Sequence, residues 1–181
     1  MSCYDKKIPK EVSIEYPLYQ SEKGKYFIGQ TPTLIGSDNH AIAALVNPTT
    51  SQVKIYLNAI TITNISGNNL SAEFYIRSSF KTGLVSNLFS CTNTDIVPFP
   101  VPKGEIQYLS TATQPPNGIN IFSRIVSPYT TLVVDGGQII LGPEQSLVVY
   151  LGGFLPVVFD SAKVAFGWWE EKTTPCSNCN C

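Results

Sequence analysis

The chain has 181 residues, enough for one medium-sized domain with a sizeable core. Lysine and arginine (12) nearly balance aspartate and glutamate (13), so the chain lacks the basic surface that nucleic-acid binding needs. The hydrophobic content is 43%, and no apolar run approaches the roughly 18 residues that cross a bilayer. Composition therefore excludes a largely disordered chain, a nucleic-acid-binding protein and a protein with a membrane span.

Charge is both scarce and unevenly distributed. Charged residues make up 14% of the chain, against roughly 25% in an average globular protein. Residues 1–25 hold a large share of them, so the rest of the chain presents a nearly uncharged surface. Since like charge keeps copies of a protein apart, this surface favours contact with other protein, in particular self-association. A secreted β domain with a Ser, Thr and Asn surface is the alternative interpretation.

Three segments are predicted along the chain. Residues 1–25 are charged, contain two prolines and lack the apolar stretch of a secretory signal, so we predict an extended N-terminal connector arm and no signal peptide. Residues 26–171 form the β body, and residues 172–181 form a short Cys-rich tail. At ~3.3 Å per residue, the stretched arm would reach on the order of 80 Å, far enough to lie on a neighbour.

The body consists of short β-branched and aromatic runs separated by turn signals, which is typical of an all-β sandwich or barrel. The predicted strands are 41–46, 53–64, 70–77, 106–110, 119–126, 131–134, 146–151 and 162–169. About eight strands with some long connections favour a jelly-roll-like antiparallel β-sandwich over an up-and-down barrel. No long window has a helical period, so we expect little helix.

Three local patterns refine this prediction. Apolar residues occupy odd positions up to Ala59 and even positions from Ile60, and this change of phase predicts a β-bulge there. Prolines at every second position in 97–102 exclude that segment from a central strand. The run Asp135-Gly136-Gly137 between two apolar segments predicts a hairpin turn.

Residue types that carry catalysis are sparse. His40 is the single histidine, and it follows a turn-like segment. No G-x-S-x-G elbow marks a serine nucleophile, and no glycine-rich phosphate loop is present. The carboxylates of the body stand singly at turns and strand ends, unlike the paired carboxylates of glycosidases. We therefore expect a non-enzymatic protein that needs no cofactor.

The strand at 162–169 ends in two tryptophans. Because side chains alternate along a strand, Trp168 should point into the core and Trp169 to the opposite face. An outward Trp at a strand end predicts a subunit contact or a sugar-binding platform, and Trp169 is the exposed contact candidate. The alternative is that the N-terminal arm or the tail covers it.

Five cysteines carry the sharpest chemical signal, and an odd number cannot pair completely within one chain. Four of them lie in the terminal segments, whose reach favours bridges between molecules over bridges within one. The candidates for intersubunit disulfides are Cys3, Cys91, Cys176, Cys179 and Cys181.

Two alternatives for the cysteines stay open. Cys176-x-x-Cys179-x-Cys181 supplies three thiolates at a spacing that suits a metal, and a structural zinc site would need Cys3 or Cys91 as its fourth ligand. The second alternative is that the five thiols form neither disulfides nor a metal site and stay reduced, as cysteines usually do in a cytosol. Our main prediction includes disulfides and no bound metal.

These features together resemble the subunits of bacterial endospore appendages. The resemblance implies assembly of a small jelly roll into fibres inside the mother cell, with disulfides from the N-terminal connector and sheets that augment each other edge to edge. By this resemblance, Cys3 corresponds to the thiol of the connector and Cys91 to its partner in the β body. Cys176, Cys179 and Cys181 correspond to no cysteine of the appendage subunits. Residues 29–33 (GQTPT), 101–103 (VPK) and 122–126 (FSRIV) also resemble an uncharacterised domain family of spore-forming bacteria.

The resulting functional prediction is a structural subunit that self-assembles into a disulfide-cross-linked extracellular fibre or spore-surface appendage. The partner is the protein itself, and a capping or anchoring protein stays unidentified. The expected location is the spore or cell surface, after assembly in the cytoplasm. A carbohydrate-binding jelly roll, with Trp169 and nearby tyrosines stacked on sugar rings, is the second candidate, and a viral or phage coat subunit is the third.

Overall fold

The computed structural model describes residues 13–36, 40–78, 80, 83–113, 115–153, 155 and 159–173, with the side chains of 136–138 excepted. The described residues contain one helix, α1 (Tyr16–Glu22). Their strands are β1 (Tyr26–Gln30), β2 (Leu34–Ile35), β3 (His40–Val46), β4 (Val53–Asn64), β5 (Leu70–Ile76), β6 (Leu84–Val85), β7 (Phe89–Cys91), β8 (Glu105–Ala112), β9 (Ile119–Val126), β10 (Thr131–Leu141), β11 (Ser146–Leu151) and β12 (Ser161–Lys172). Within these ranges, no helix has the length and apolar character that a bilayer crossing requires.

The strands form two six-stranded sheets that pack face to face. Sheet A has the order β10-β4-β12-β1-β7, and β2 pairs with β12 beside this path. Sheet B has the order β6-β8-β3-β11-β5-β9. All strand pairs are antiparallel. The predicted all-β antiparallel sandwich is confirmed.

Strand prediction succeeded best where apolar residues are dense. The predicted strands 53–64, 119–126 and 146–151 match β4, β9 and β11 at both ends. The described residues contain twelve strands rather than about eight, because β1, β2, β6 and β7 were not predicted. These four strands are short and contain or adjoin Gly, Ser and Pro, so their sequence pattern matches that of a loop.

The predicted change of phase in β4 is confirmed as a bulge. Gly167 of β12 lies opposite Ala59, and the next residue lies opposite Leu57, so Asn58 is the extra residue. The Asn58 side-chain amide donates a 3.0 Å hydrogen bond to the Tyr26 hydroxyl. The bulge therefore turns a polar side chain onto the outer face of sheet A, where it connects β4 to β1.

The hairpin turn predicted at Asp135-Gly136-Gly137 is wrong. β10 continues through this segment and pairs with β4 on both sides of it. The register shifts between Asp135 and Ile139, so the glycines lie in an irregular part of one strand. Glycine permits a bulge as readily as a turn, and the local pattern does not distinguish the two.

The extended arm predicted for residues 1–25 is also corrected in part, because residues 16–22 form α1. Pro17 stands in the first turn, where its missing N–H costs no hydrogen bond. Gly24, with a φ of +67°, ends the helix, and its N–H donates to the Ser21 carbonyl. The chain thus turns directly from α1 into β1, and the helix stays on its own sandwich.

The main core lies between the sheets, and a second apolar cluster lies on the outer face of sheet B. The largest fully buried core side chains include Trp168, Phe74 and Phe166. Burial of each contributes roughly 1.5–3 kcal/mol or more. Residues 97–102 lie in the connection between β7 and β8, outside any strand, as the proline pattern predicted.

A buried carboxylate joins the two sheets at one end. Glu170 is 7% exposed and accepts hydrogen bonds from the backbone N–H groups of Lys103 (2.9 Å) and Gly104 (2.8 Å). It also accepts one from the Trp168 indole N–H, at 3.1 Å. These bonds attach the start of β8 in sheet B to β12 in sheet A.

We expect Glu170→Gln to lower the free energy of unfolding by about 1–3 kcal/mol. An amide has one oxygen in place of two, and its NH₂ group would face N–H donors that it cannot satisfy. Urea unfolding at neutral pH measures this loss. Asp160→Asn, at an exposed position, also removes one negative charge and serves as the control. Equal stabilities for the two variants would contradict this account of the Glu170 bonds.

Candidate functional site

Trp169 lies on the outer face of sheet A, as predicted, but it is not exposed. Only 8% of its surface is accessible, because α1 packs over it. Tyr16 meets the indole edge-on, with 5.6 Å between ring centroids. Tyr56 stacks in parallel at 5.3 Å, and Tyr26 stacks at 6.4 Å. The prediction of an exposed contact residue is therefore wrong, and the alternative of a Trp covered by the N-terminal arm is correct.

Two side chains of α1 fasten the helix to β12 through Glu171. The Tyr16 hydroxyl donates to Glu171 Oε1 at 2.6 Å, and the Gln20 amide donates to the same atom at 3.0 Å. The hydrogen bond to Glu171 raises the pKa of Tyr16, and burial raises the pKa of Tyr26 and Tyr56. A raised tyrosine pKa favours the neutral hydroxyl in the folded state. These tyrosines therefore stabilise the folded state fully at a pH below 10.0, the ordinary pKa of tyrosine. This stabilisation is lost as the pH rises through their raised pKa values.

Cys91 is the one cysteine within the described ranges, and the sequence placed it in a loop. It instead ends β7, lies opposite Phe27 of β1, and is 3% exposed with a free thiol. Its side chain belongs to the core and is not presented to another molecule. Cys3, Cys176, Cys179 and Cys181 lie outside the described residues, as does most of the Cys-rich tail.

His40 begins β3, and its ring lies 5.1 Å from the ring of Tyr150. No group of three or more His, Cys, Asp or Glu side chains suited to a metal occurs in the part of the chain that the structure describes.

The most distinctive surface lies where both sheets end together, at β9 and β10. β9 pairs only with β5 and β10 only with β4, so the opposite edge of each faces no described strand. Residues 119–141, which span both strands, contain two charged residues, Arg124 and Asp135. Its exposed apolar side chains include Ile125 (54%), Tyr129 (75%) and Val133 (62%). We call this surface the long-edge side.

Each long edge includes a bulge, yet each keeps a regular stretch next to residues 127–130, which join the two strands. In β9 this stretch is 122–126, and in β10 it is 131–135. Natural proteins usually protect such edges with lysine or proline. Neither residue type occurs within β9 or β10.

The two sheets also end together on the opposite side, at β6 and β7. Residues 84–91 contain no charged residue. Leu84 is 64% exposed, Val85 58% and Phe89 39%. The Ser86 hydroxyl donates to the Gln30 carbonyl at 2.7 Å and holds the link between β6 and β7 against β1. We call this surface the short-edge side.

A hollow of about 650 Å³ on the outer face of sheet A extends the short-edge side. Its floor includes Ala59, Ala165 and Gly167, and Ile28 and Phe89 stand beside it. The sequence did not reveal either edge surface, because exposure at an edge depends on which strands pair. The sequence feature that could have indicated these two surfaces is the scarcity of charged residues in the runs 84–91 and 119–141.

A family model matches residues 1–175 and is described as a family of unknown function, DUF6143. The chain belongs to this family. No curated protein and no solved structure shows a significant match to it. The family thus assigns no activity to this chain, and function must be argued from its surfaces.

The covered tryptophan gives a direct test of the α1 contact. We expect Tyr16→Ala to increase acrylamide quenching of tryptophan fluorescence, because an aromatic pair contributes about 0.5–1.5 kcal/mol and its loss lets α1 open roughly 2–10-fold more often. Tyr19→Ala is the matched control, since the Tyr19 ring packs against Tyr16 and Lys23, whereas the rings that pack on Trp169 are those of Tyr16, Tyr26 and Tyr56. If acrylamide quenches the fluorescence of both variants equally, the Tyr16 ring does not hold α1 over Trp169.

Proposed function

We propose that this protein is a structural subunit that polymerises head to tail, with both of its sheets continued from one copy into the next. The observation that carries the proposal is the pair of open, apolar and nearly uncharged edges on opposite sides of one sandwich. Sheet A runs from β10 to β7, and sheet B runs from β9 to β6. A neighbour that places its short-edge side against the long-edge side would extend both sheets at once.

We also infer that the sandwich is a jelly roll. Eight strands support this: β1-β12-β4-β10 are consecutive in sheet A, and β3-β11-β5-β9 are consecutive in sheet B. The chain changes sheets at each step between these eight strands, except from β5 to β9. This alternation is typical of two interlocked Greek keys. The strands β2, β6, β7 and β8 are then additions to the jelly roll.

Strand addition would satisfy the backbone groups of β9 and β10 that pair with no described strand, and it would bury Ile125 and Val133. Apolar burial contributes about 25 cal/mol per Å². Few charged side chains would have to be desolvated in this contact, because the long-edge side has only Arg124 and Asp135. A contact between two different surfaces repeats without closing, unless its rotation forms a ring, and so produces a fibre.

Disulfides would then lock the fibre. In this proposal Cys3, Cys176, Cys179 and Cys181 form bridges between copies once an external oxidant such as dioxygen accepts two electrons and two protons per bridge. Cys91 takes no part, because it is buried in the core. Such bridges slow dissociation and unfolding, which suits an extracellular fibre or spore-surface appendage.

The two other candidates gain less support. A sugar platform needs a free ring face, and Trp169 is covered by Tyr56, Tyr26 and α1. A coat subunit would share the sandwich but would assemble into closed shells, which microscopy distinguishes from fibres.

Two lysine substitutions test the head-to-tail contact. We expect Val133→Lys on the long-edge side and Leu84→Lys on the short-edge side each to weaken assembly on the order of tenfold or more, because each buries an unpaired charge. Negative-stain microscopy and analytical ultracentrifugation measure the assembly. Leu18→Lys is the control, since Leu18 is 53% exposed on α1, which packs over Trp169 on the outer face of sheet A.

A mixture of the two variants identifies the geometry of the contact. Each variant keeps one intact side, so an equimolar mixture should form dimers, while each variant alone stays monomeric. A wild-type chain that stays monomeric when concentrated and oxidised would overturn the proposal. A Leu84→Lys variant that still dimerises alone would instead indicate a symmetric contact through the long-edge side.

A further inference from the structure

The connection between β8 and β9 contains Asn117-Gly118, the single Asn-Gly pair of the sequence. Both residues are exposed, and they form a bend just before β9, which begins at Ile119. A backbone outside the strand ladder is free to rotate, so the Asn117 side chain can approach the amide nitrogen of the next residue. The pair therefore has the arrangement that attack of a backbone nitrogen on an asparagine side chain requires.

Within the described ranges, no hydrogen bond restrains either reacting group. The Asn117 side-chain amide and the Gly118 N–H have no partner in that part of the chain. Ring closure between them therefore breaks no existing hydrogen bond. Gly118 also lacks the side chain that would hinder the approach to its nitrogen.

The fold requires glycine at position 118. The φ of Gly118 is +133°, a conformation that favours glycine. A Cβ at this position would lie 2.6 Å from the carbonyl oxygen of Ile76, at the end of β5. A bulkier residue, which would slow the attack by the nitrogen, is thus excluded by the backbone geometry.

Three other asparagines illustrate the contrast. Asn64 is buried, and its side-chain amide donates to three backbone carbonyls. Asn47 is followed by a proline, which has no N–H. Asn120 lies within β9, and its side-chain amide donates to Glu73 Oε2 at 3.1 Å. Each of them lacks a free side chain, a free N–H or a mobile backbone, so Asn117 should react before they do.

We infer that Asn117 is a site of spontaneous conversion to aspartate and isoaspartate. Solvent base removes the Gly118 amide proton, and the nitrogen attacks Asn117 Cγ. An N–Cγ bond forms, the Cγ–Nδ2 bond breaks, and ammonia leaves with a proton from water. Water then opens the resulting succinimide ring. Cleavage of the N–Cγ bond gives aspartate, and cleavage of the bond from this nitrogen to the main-chain carbonyl carbon gives isoaspartate.

The modification would change both the charge and the geometry at the start of β9. Either product has a carboxylate, which is ionised at neutral pH. A negative charge would thus appear at one end of an edge strand in which Arg124 is the single charged residue. Isoaspartate also lengthens the main chain by one methylene, which would displace the pairing of Ile119 with Ile76.

The test incubates the full-length protein at mildly alkaline pH and analyses its tryptic peptide 104–124 by mass spectrometry and reversed-phase chromatography. We expect aspartate and isoaspartate to accumulate at Asn117, and to do so faster at higher pH, because base removes the amide proton. Asn120, in the same peptide, should stay unchanged. Asn117→Gln should abolish the modification of this peptide, because the longer side chain would have to close a larger ring.

Asn69→Gln is the matched control, because Asn69 is also exposed and also precedes a strand, but the bulky Leu70 follows it. This variant should be modified at Asn117 at the wild-type rate. A wild-type peptide that stays unmodified would overturn the inference. Equal conversion of Asn117 and Asn120 would also overturn it, since the folded environment would then not select the site.

Discussion

The alternation of side chains at the end of β12 is the constraint on which the rest of the structure depends. Trp168 points into the core and Trp169 outward, and the next two residues repeat this order. Glu170 accepts the N–H groups that begin β8 in the opposite sheet, and Glu171 accepts the two side chains that hold α1. One four-residue run thus closes the core, joins the two sheets and fixes the N-terminal helix. A shift of register by one residue would reverse all of these contacts.

The low charge of the body explains both the buried central strands of sheet B and the unprotected edge strands of the sandwich. The low charge of the body lets β3 and β11 be buried on both faces, because neither strand must carry a solvated side. The same lack of charge leaves β9 and β10 without the lysines that usually prevent edge pairing. The proposed association would therefore follow from how this sandwich is built, and the proposed fibre would use surfaces that the fold already provides.

The sequence predicted the sandwich well because dense apolar alternation identifies buried strands whatever their neighbours are. The bulge at Asn58 was foreseen within about one residue for the same reason, since a period of two cannot change phase without an extra residue. The cover over Trp169 was not settled, because a seven-residue helix is stabilised by tertiary contact and leaves little local signal. A loop was predicted around Cys91, because β7 has only three residues and no apolar alternation. The two edge surfaces were not predicted either, because exposure at an edge depends on which strands pair, and no local pattern contains that information.

The described residues nearest the terminal cysteines lie at one end of the sandwich, and the edges proposed for sheet contacts lie on its flanks. The hydrogen bond from Tyr16 to Glu171 brings the first and last described segments together at one end of sheet A. Thr173 is the last described residue, three residues before Cys176. The sheet edges, in contrast, lie on the two flanks of the sandwich, at β6 and β7 and at β9 and β10. Because disulfides that start from the chain ends need not form within the edge contact, reduction should release the cross-links and leave strand pairing as the interaction that holds copies together.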